Sequence, residues 1–173
     1  RRAGSAMSEP LLSVRDLSVE FTNYGVANRV LYDVSLDLPA HAQIALVGES
    51  GSGKTVTMKA IMGILAKNGK ITDGAIRFWD KEDGDKVYDI TKMSNREIRK
   101  YLSGNKIAMI FQDPMTSLDP TMKIGSQIQE TINYHRPMAK NQSKKLALKY
   151  IEDVGISDPE LIYNQYPNQL SGG

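Results

Sequence analysis

Apolar and polar residues alternate in two stretches near the beginning of the chain. In residues 11–21 and again in residues 30–38, apolar side chains recur at about every second position, which is the period of a half-buried strand. Residues 23–28, which lie between these stretches, predict a hairpin connection. A second pair of stretches, residues 75–79 and 87–90, flanks a polar turn that contains Asp-Gly. The pattern therefore predicts two hairpins.

Two further apolar runs are continuous rather than alternating. Residues 43–47 lead into a glycine-rich segment, and residues 106–111 end just before Gln112. Short uninterrupted apolar runs are typical of strands that are covered on both faces. We therefore predict that both runs form buried strands.

Helical periodicity is found in the rest of the chain. Residues 54–65 carry apolar side chains at helical spacing, and Ser94 followed by Glu97 has the spacing of a capping box for a helix that runs to Leu102. Past Pro114 the pattern is helical only. Two apolar stripes predict amphipathic helices there, and we expect the isoleucine stripe to pack in the core. The stripes are Ile124, Ile128 and Ile132, then Leu146, Tyr150 and Val154, the second helix ending at Gly155.

The composition of the chain excludes only a few classes of function. The chain has 173 residues, 40% of them hydrophobic and 24% charged, with a net charge of +2. This is a globular composition, and it gives no reason to expect a nucleic-acid partner. The sequence has no cysteine for disulfides or thiolate metal sites, and no apolar run has the length of a membrane span. We interpret residues 1–9 as a tag or flexible terminus, with Met7 as the natural start.

One motif carries explicit chemistry. Residues 48–55, Gly-Glu-Ser-Gly-Ser-Gly-Lys-Thr, match the phosphate-loop pattern at every fixed position. Glycines let consecutive N–H groups point inward at phosphate oxygens, and the helix that begins near Lys54 adds the positive end of its dipole. The Lys54 ammonium would bind the β- and γ-phosphates, and the Thr55 hydroxyl would bind Mg²⁺. The motif predicts a site for ATP and Mg²⁺.

A second motif lies at the end of the sequence. Residues 170–173, Leu-Ser-Gly-Gly, follow the helical region, and a serine with two glycines ahead of a helix can form another phosphate-binding turn. With the phosphate loop, this tetrapeptide makes the chain resemble the nucleotide-binding subunits of ABC importers of the oligopeptide and dipeptide type. The resemblance runs from about Leu11 to the end. It also rests on residues 105–120 (NKIAMIFQDPMTSLDP) and 165–173 (QYPNQLSGG).

The resemblance implies roles for residues outside the phosphate loop. Gln112 would be the Q-loop glutamine, which helps to bind Mg²⁺ and, with Lys54, takes part in catalysis. An aromatic residue of the first hairpin would stack on the adenine. Phe21 matches that position best and Tyr24 second, while packing of Phe21 in the sheet is an equal alternative. The residues implied to bind nucleotide or Mg²⁺ are Phe21, Gly48, Ser50, Gly51, Ser52, Gly53, Lys54, Thr55, Val56, Gln112, Ser171, Gly172 and Gly173.

The same resemblance implies a fold and an assembly. The fold would be the α/β P-loop ABC-ATPase fold, with a RecA-like core, an N-terminal antiparallel β-subdomain and an inserted α-helical subdomain, incomplete at the C-terminus. We expect residues 10–113 to form the core with its β-subdomain and residues 114–173 to form the helical subdomain. The implied partners are a second ABC ATPase subunit in a head-to-tail dimer, integral membrane permease subunits and, indirectly, a substrate-binding protein. The location would be the cytoplasmic face of the cell membrane.

Several groups needed for complete catalysis are expected beyond Gly173. By the resemblance these are the Walker B aspartate, the catalytic glutamate, the D-loop and the switch histidine. We interpret the chain as part of a longer one, whose missing central strands would leave apolar faces uncovered. For the whole protein we expect ATP-driven uptake of oligopeptides or dipeptides. For residues 1–173 alone we expect nucleotide binding with negligible hydrolysis, because no group would position the attacking water.

Other functions are left open by the sequence. Nickel or another small solute would fit the same family. A non-transport ABC ATPase usually carries a long coiled coil between the two motifs, and this interval has no sustained heptads. A regulatory ABC fold that binds nucleotide without turnover would differ only in residues beyond Gly173.

Overall fold

The computed structural model describes residues 10–113 and 117–170, and they fall into two compact units. The first unit lies within residues 1–108 and the second within residues 109–173. The elements of the first unit are β1 (Pro10–Asn23), β2 (Val26–Pro39), α1 (Lys54–Ile61), β3 (Gly69–Asp80), β4 (Lys86–Asp89), a 3₁₀ turn (Ile90–Lys92) and α2 (Asn95–Tyr101). Those of the second unit are α3 (Ile124–His135), α4 (Lys140–Asp153), α5 (Pro159–Asn164) and a 3₁₀ turn (Pro167–Gln169).

The four strands form one antiparallel sheet in the order β2-β1-β3-β4. Both predicted hairpins are therefore confirmed. The first one turns more tightly than expected, at Tyr24 and Gly25, which have φ angles of 49° and 80°. Two consecutive residues with positive φ are what a two-residue turn between twisted strands requires.

Inward-facing residues of β1, on both sides of a register shift between Val14 and Leu17, form the centre of the core of the first unit. Val14, Leu17 and Val19 are completely buried, and Ile76 of β3 is buried with them. Complete burial of a side chain such as Leu17 stabilises the fold by roughly 1.5–3 kcal/mol. Ala60 and Ile61 of α1 and Ile98 of α2 belong to the same core, as does Leu102, which directly follows α2.

The two continuous apolar runs do not form strands, so that prediction is wrong for this structure. Residues 42–49 have no regular secondary structure, and Ile44, Leu46 and Val47 are between 44% and 90% exposed. In the second run only Ile107 makes an isolated bridge, to Ser103, and Ile110 is 93% exposed. A strand needs a neighbour for its backbone N–H and C=O groups, and no described strand pairs with either run.

The prediction of helices past Pro114 is correct. The predicted buried face of the second helix, α4, is wrong. Ile124 and Ile132 of α3 are buried, as expected. In α4 the buried residues are Ser143, Ala147 and Ile151, whereas Tyr150 and Val154 are 43% and 74% exposed. Small residues allow α4 to approach its neighbours closely, and this outweighs the larger apolar stripe. Among the described residues, no helix is long and apolar enough to cross a bilayer.

The predicted capping box begins α2. The Ser94 hydroxyl accepts a hydrogen bond from the Glu97 backbone N–H, and the Glu97 carboxylate accepts from the Ser94 backbone N–H at 2.8 Å and from its hydroxyl at 2.7 Å. These hydrogen bonds, that from the hydroxyl first, lower the pKa of Glu97. Because the folded state has the lower pKa, the contribution to stability is present above the unfolded pKa. It is lost as the pH falls through the folded pKa.

We expect Ser94→Ala to raise the pKa of Glu97 towards its ordinary value, since the hydroxyl donor is removed while the backbone donor remains. An NMR titration of the Glu97 carboxyl carbon measures this directly. Asn95→Ala, one residue further on, is the control, because it leaves both hydrogen bonds in place. An unchanged Glu97 titration in Ser94→Ala would contradict the assignment.

Candidate nucleotide-binding site

The phosphate loop of the first unit curls through two left-handed glycines. Gly51 has a φ angle of 81° and Gly53 one of 91°, a conformation that residues with a side chain rarely adopt. Between them, the Ser52 N–H donates to Glu49 O at 3.2 Å. At the start of the loop, a β-carbon on Gly48 would lie 2.7 Å from Ser52 Oγ. Gly51 and Gly53 are therefore favoured by the path of the backbone, and Gly48 by the nearby Ser52 side chain.

Gly53 is held from two sides. Its carbonyl accepts hydrogen bonds from the Thr57 N–H at 2.9 Å and from the Thr57 hydroxyl at 3.0 Å. On its other side lies Leu31 of β2, which is 3% exposed. A β-carbon on Gly53 would fall 2.4 Å from Leu31 Cδ2. The end of the loop is thus attached both to α1 and to the core below it.

Lys54 directs its ammonium group back into the loop. Its Nζ donates to Gly48 O and to Glu49 O, both at 2.7 Å, and to Ser52 Oγ at 3.2 Å. These contacts use the three N–H groups of the ammonium. A positive charge is thereby fixed inside the curve of the backbone, where an anion would be attracted.

The start of α1 has no side-chain cap, as is also the case for α3 and α4. Its N-cap is Gly53, which offers no side-chain hydrogen bond, and its first turn contains no acidic residue. By contrast, α2 and α5 are capped by the side chains of Ser94 and Asp158. Uncapped N–H groups at a helix start carry partial positive charge and bind anions well. The loop and the helix start are therefore the candidate surface for a phosphate group.

The other predicted site residues of the first unit lie around this surface or in the sheet. Ser50 and Thr55 are exposed, and Val56 is half-buried against the core. Phe21 is half-buried in β1, where a β-carbon on the facing Gly69 would lie 2.7 Å from its Cε1. Tyr24 is fully exposed at the hairpin turn. Phe21 thus contacts the sheet, and its role towards adenine stays a prediction.

The remaining predicted residues do not belong to the first unit. Gln112 lies in the second unit and is exposed. Ser171, Gly172 and Gly173 lie outside the described residues. Within the described part of the chain, no group of three or more His, Cys, Asp or Glu side chains could hold a metal ion. The predicted Mg²⁺ ligands are the Thr55 hydroxyl and the Gln112 amide, which do not belong to these four residue types.

Two residues that support the loop were not predicted from the sequence. Leu31 was assigned to a strand only, and Thr57 to a helix only. Nothing in the local sequence shows that Leu31 touches Gly53, because they are far apart in the chain and meet through packing. Thr57 could have been found, since a hydroxyl four residues after a glycine can reach its carbonyl on a helix.

Comparison with known proteins gives matches over most of the chain. Residues 31–173 match the ABC transporter family. The chain is 45% identical to the dipeptide transport ATP-binding protein DppD of Lactococcus lactis subsp. cremoris, over 95% of this chain and 45% of that protein. It is 43% identical to the oligopeptide transport ATP-binding protein AmiE of Streptococcus pneumoniae, over 94% of this chain and 44% of that protein. The chain therefore spans less than half the length of these relatives.

Solved structures with the same fold include two of the ATP-binding cassette MJ0796. One is dimeric and in a post-hydrolysis state bound to ADP and Pi, with a TM-score of 0.74 and 20% identity. The other is a dimer of the same bacterial ABC transporter cassette, with a TM-score of 0.74 and 21% identity. Each comparison covers 93% of this chain and 63% of the solved chain. At this identity the likeness establishes the fold, as the sequence predicted.

We expect Gly53→Ala to destabilise the first unit more than Gly51→Ala. Both changes force a side chain into a left-handed conformation, which costs about 1 kcal/mol. A β-carbon at Gly51 meets nothing within 4 Å, whereas one at Gly53 meets the buried Leu31 and adds roughly 1–3 kcal/mol of overpacking. Chemical denaturation of the two variants measures the difference. Equal losses in both would show that Leu31 does not constrain the loop.

Proposed function

The chain belongs to the ABC transporter family, and on this basis we propose that it is the ATP-binding part of a peptide importer's ATPase subunit. The observation that carries the proposal is the phosphate loop, which ends at the uncapped start of α1 and encloses the Lys54 ammonium. A triphosphate is the ligand whose charge and shape match such a loop. ATP binding by this loop would be coupled to transport in the whole protein.

In this proposal each group of the loop has a separate task. The Lys54 ammonium exchanges hydrogen bonds within the loop for bonds to the β- and γ-phosphates. It then offsets the charge that develops on the γ-phosphate during transfer. The N–H groups of Gly51, Gly53, Lys54 and Thr55 donate to phosphate oxygens, whereas that of Ser52 already donates to Glu49 O. The position of Gly53 is fixed before ATP arrives, because it is held by Thr57 and Leu31. A preformed site avoids part of the entropy cost of ordering a loop on binding.

The metal and the remaining catalytic groups are assigned by the family resemblance. Mg²⁺, when bound, neutralises phosphate charge, and the Thr55 hydroxyl and the Gln112 amide would hold it through oxygen atoms, which this ion prefers. Ser171, Gly172 and Gly173 would contact the γ-phosphate on a second ATPase subunit in a head-to-tail dimer. The dimeric MJ0796 cassette supports this arrangement. Permease subunits would bind the ATPase at the cytoplasmic face of the membrane, and a substrate-binding protein would act indirectly.

Peptide uptake is the transport activity that we propose for the whole protein. It is supported by the similarity to DppD and AmiE, whose names specify dipeptide and oligopeptide transport. Their identity of 43–45% extends over nearly the whole of this chain.

We expect Lys54→Ala to weaken Mg²⁺-ATP binding by roughly 100-fold or more, because charge-assisted hydrogen bonds to phosphate are lost. Isothermal titration calorimetry measures the affinity. The control is Lys67→Ala, which removes an exposed lysine of the same unit outside the loop. Unchanged ATP affinity in Lys54→Ala would overturn the assignment of the site.

The two candidate aromatic residues can be separated by a matched pair of variants. If Phe21 stacks on the adenine, Phe21→Ala will weaken ATP binding by about 1–3 kcal/mol, while Tyr24→Ala at the exposed turn will leave it unchanged. Comparing the affinities for ATP and inorganic triphosphate isolates the contribution of the base. Because Phe21 also packs against the core, thermal unfolding must accompany the measurement. A loss of stability with unchanged ATP affinity would reject the stacking role.

A further inference from the structure

Two glutamines of α3 contact chain segments on opposite sides of that helix. Gln127 and Gln129 are two residues apart, which turns their side chains by about 200° from each other around the helix axis. Gln127 faces the segment that precedes α3. Gln129 faces α4 and α5 and is 8% exposed. One helix of twelve residues thus presents a polar side chain to each of two separate parts of the second unit.

The Gln127 side chain binds the segment Asp119–Met122 at three points. Its Nε2 donates to Asp119 O at 2.9 Å and to Met122 O at 3.0 Å, and its Oε1 accepts from the Asp119 N–H at 2.9 Å. Both backbone groups of Asp119 are therefore satisfied by one side chain, as they would be by a neighbouring strand. The Asp119 carboxylate in turn accepts from the Thr121 N–H at 2.8 Å and from its hydroxyl at 2.7 Å. The segment is fixed relative to α3.

The Gln129 side chain is the centre of a buried polar network. Its Nε2 donates to Ser143 Oγ at 2.8 Å and to Lys140 O at 3.0 Å, both at the start of α4. Its Oε1 accepts a short hydrogen bond from the Tyr163 hydroxyl of α5. Asn133 Nδ2 also donates to Ser143 Oγ at 3.4 Å, while the buried Asn133 Oδ1 has no hydrogen-bond partner. Both ends of the Gln129 amide do have partners, and a buried polar group that finds its partners favours one arrangement of the helices around it. Gln129 therefore sets where α4 and α5 lie relative to α3.

The backbone of the first two residues of α3 makes two further contacts. One is with α5 and the other is with the residue that follows α5. A β-carbon on Gly125 would lie 2.2 Å from Tyr163 Cδ2, so the aromatic ring lies directly on the helix backbone. The Ile124 N–H donates to Gln165 O at 2.9 Å. These contacts attach the chain just after α5 to the first turn of α3.

We propose that Gln127 and Gln129 are positioning residues that link the segment after Gln112 to the segment before Ser171 through α3. Asp119 follows Gln112 by seven residues, and Gln165 precedes Ser171 by six. A displacement of one segment moves the other, because both are bonded to the same two turns of a single helix. The assignment rests on the proposed function and specifies how two of its motifs communicate within one unit.

The test uses the full-length chain in its membrane complex, with Mg²⁺-ATP as the substrate. Gln127→Ala removes the first set of bonds. Tyr163→Phe removes only the hydroxyl that donates to Gln129 and keeps the ring on Gly125. We expect each variant to lower kcat by roughly tenfold and to leave the KM for ATP within about twofold, because positioning is lost while the phosphate loop is untouched. Expressing kcat per ATP-binding site, counted by calorimetry, removes any contribution from unfolded protein.

A variant that combines both changes shows whether the two ends of the link act together or independently. If α3 transmits between the segments, breaking both ends will reduce kcat no further than the more damaging single change. Two independent effects would multiply to about 100-fold. Thr131→Val is the matched control, since it deletes an exposed hydrogen bond of α3 to Gln127 O without touching either segment, and we expect wild-type kcat.

Two results would overturn the inference, and they differ from failure of the proposed function. Wild-type kcat per site in both single variants, or multiplicative loss in the combined variant, would remove the positioning role while leaving ATP binding established. A wild-type chain that binds no Mg²⁺-ATP would overturn the proposed function and the positioning role together.

Discussion

Gly53 is the point at which the sheet, the phosphate loop and α1 of the first unit meet. Its left-handed backbone lets the chain turn from the loop into the helix, its carbonyl begins the hydrogen bonding of α1 through Thr57, and its missing side chain makes room for Leu31 of the core. No residue with a β-carbon satisfies all three conditions. The position of the loop where it enters α1 depends on these contacts of Gly53.

The two units are stabilised by different kinds of interaction. The first has an apolar core built on the inward-facing residues of β1, to which hydrophobic burial contributes most of the free energy. The second packs three helices around Gln129 and Ser143, which are buried and hydrogen-bonded to each other. Polar networks of this type select one geometry rather than maximise stability. That difference fits a rigid site for a ligand in one unit and a positioning function in the other.

Sequence patterns predicted elements well where the signal is local. The hairpins, the capping box at Ser94 and the phosphate loop each depend on residues only a few positions apart, and all three are present in the structure. The prediction of strands from the two continuous apolar runs was wrong, because a strand depends on residues that are distant in the chain. A strand exists only beside another strand, and the composition of residues 43–47 and 106–111 does not specify which segment that would be. The buried face of α4 failed because close helix approach favoured Ser143 and Ala147 over Tyr150.

The sequence by itself determined the loop motif: a lysine, a hydroxyl and three glycines at fixed spacing, which are close together in the chain. It also determined the type of most elements, since apolar and polar side chains recur along the chain with the period of a helix or of a strand. Tertiary structure alone decided which distant residues come into contact. Three examples are the contact of Leu31 with Gly53 and the hydrogen bonds of Gln127 with Asp119 and of Gln129 with Tyr163. Such contacts exist only once the elements have packed, because no local pattern encodes the distance between them.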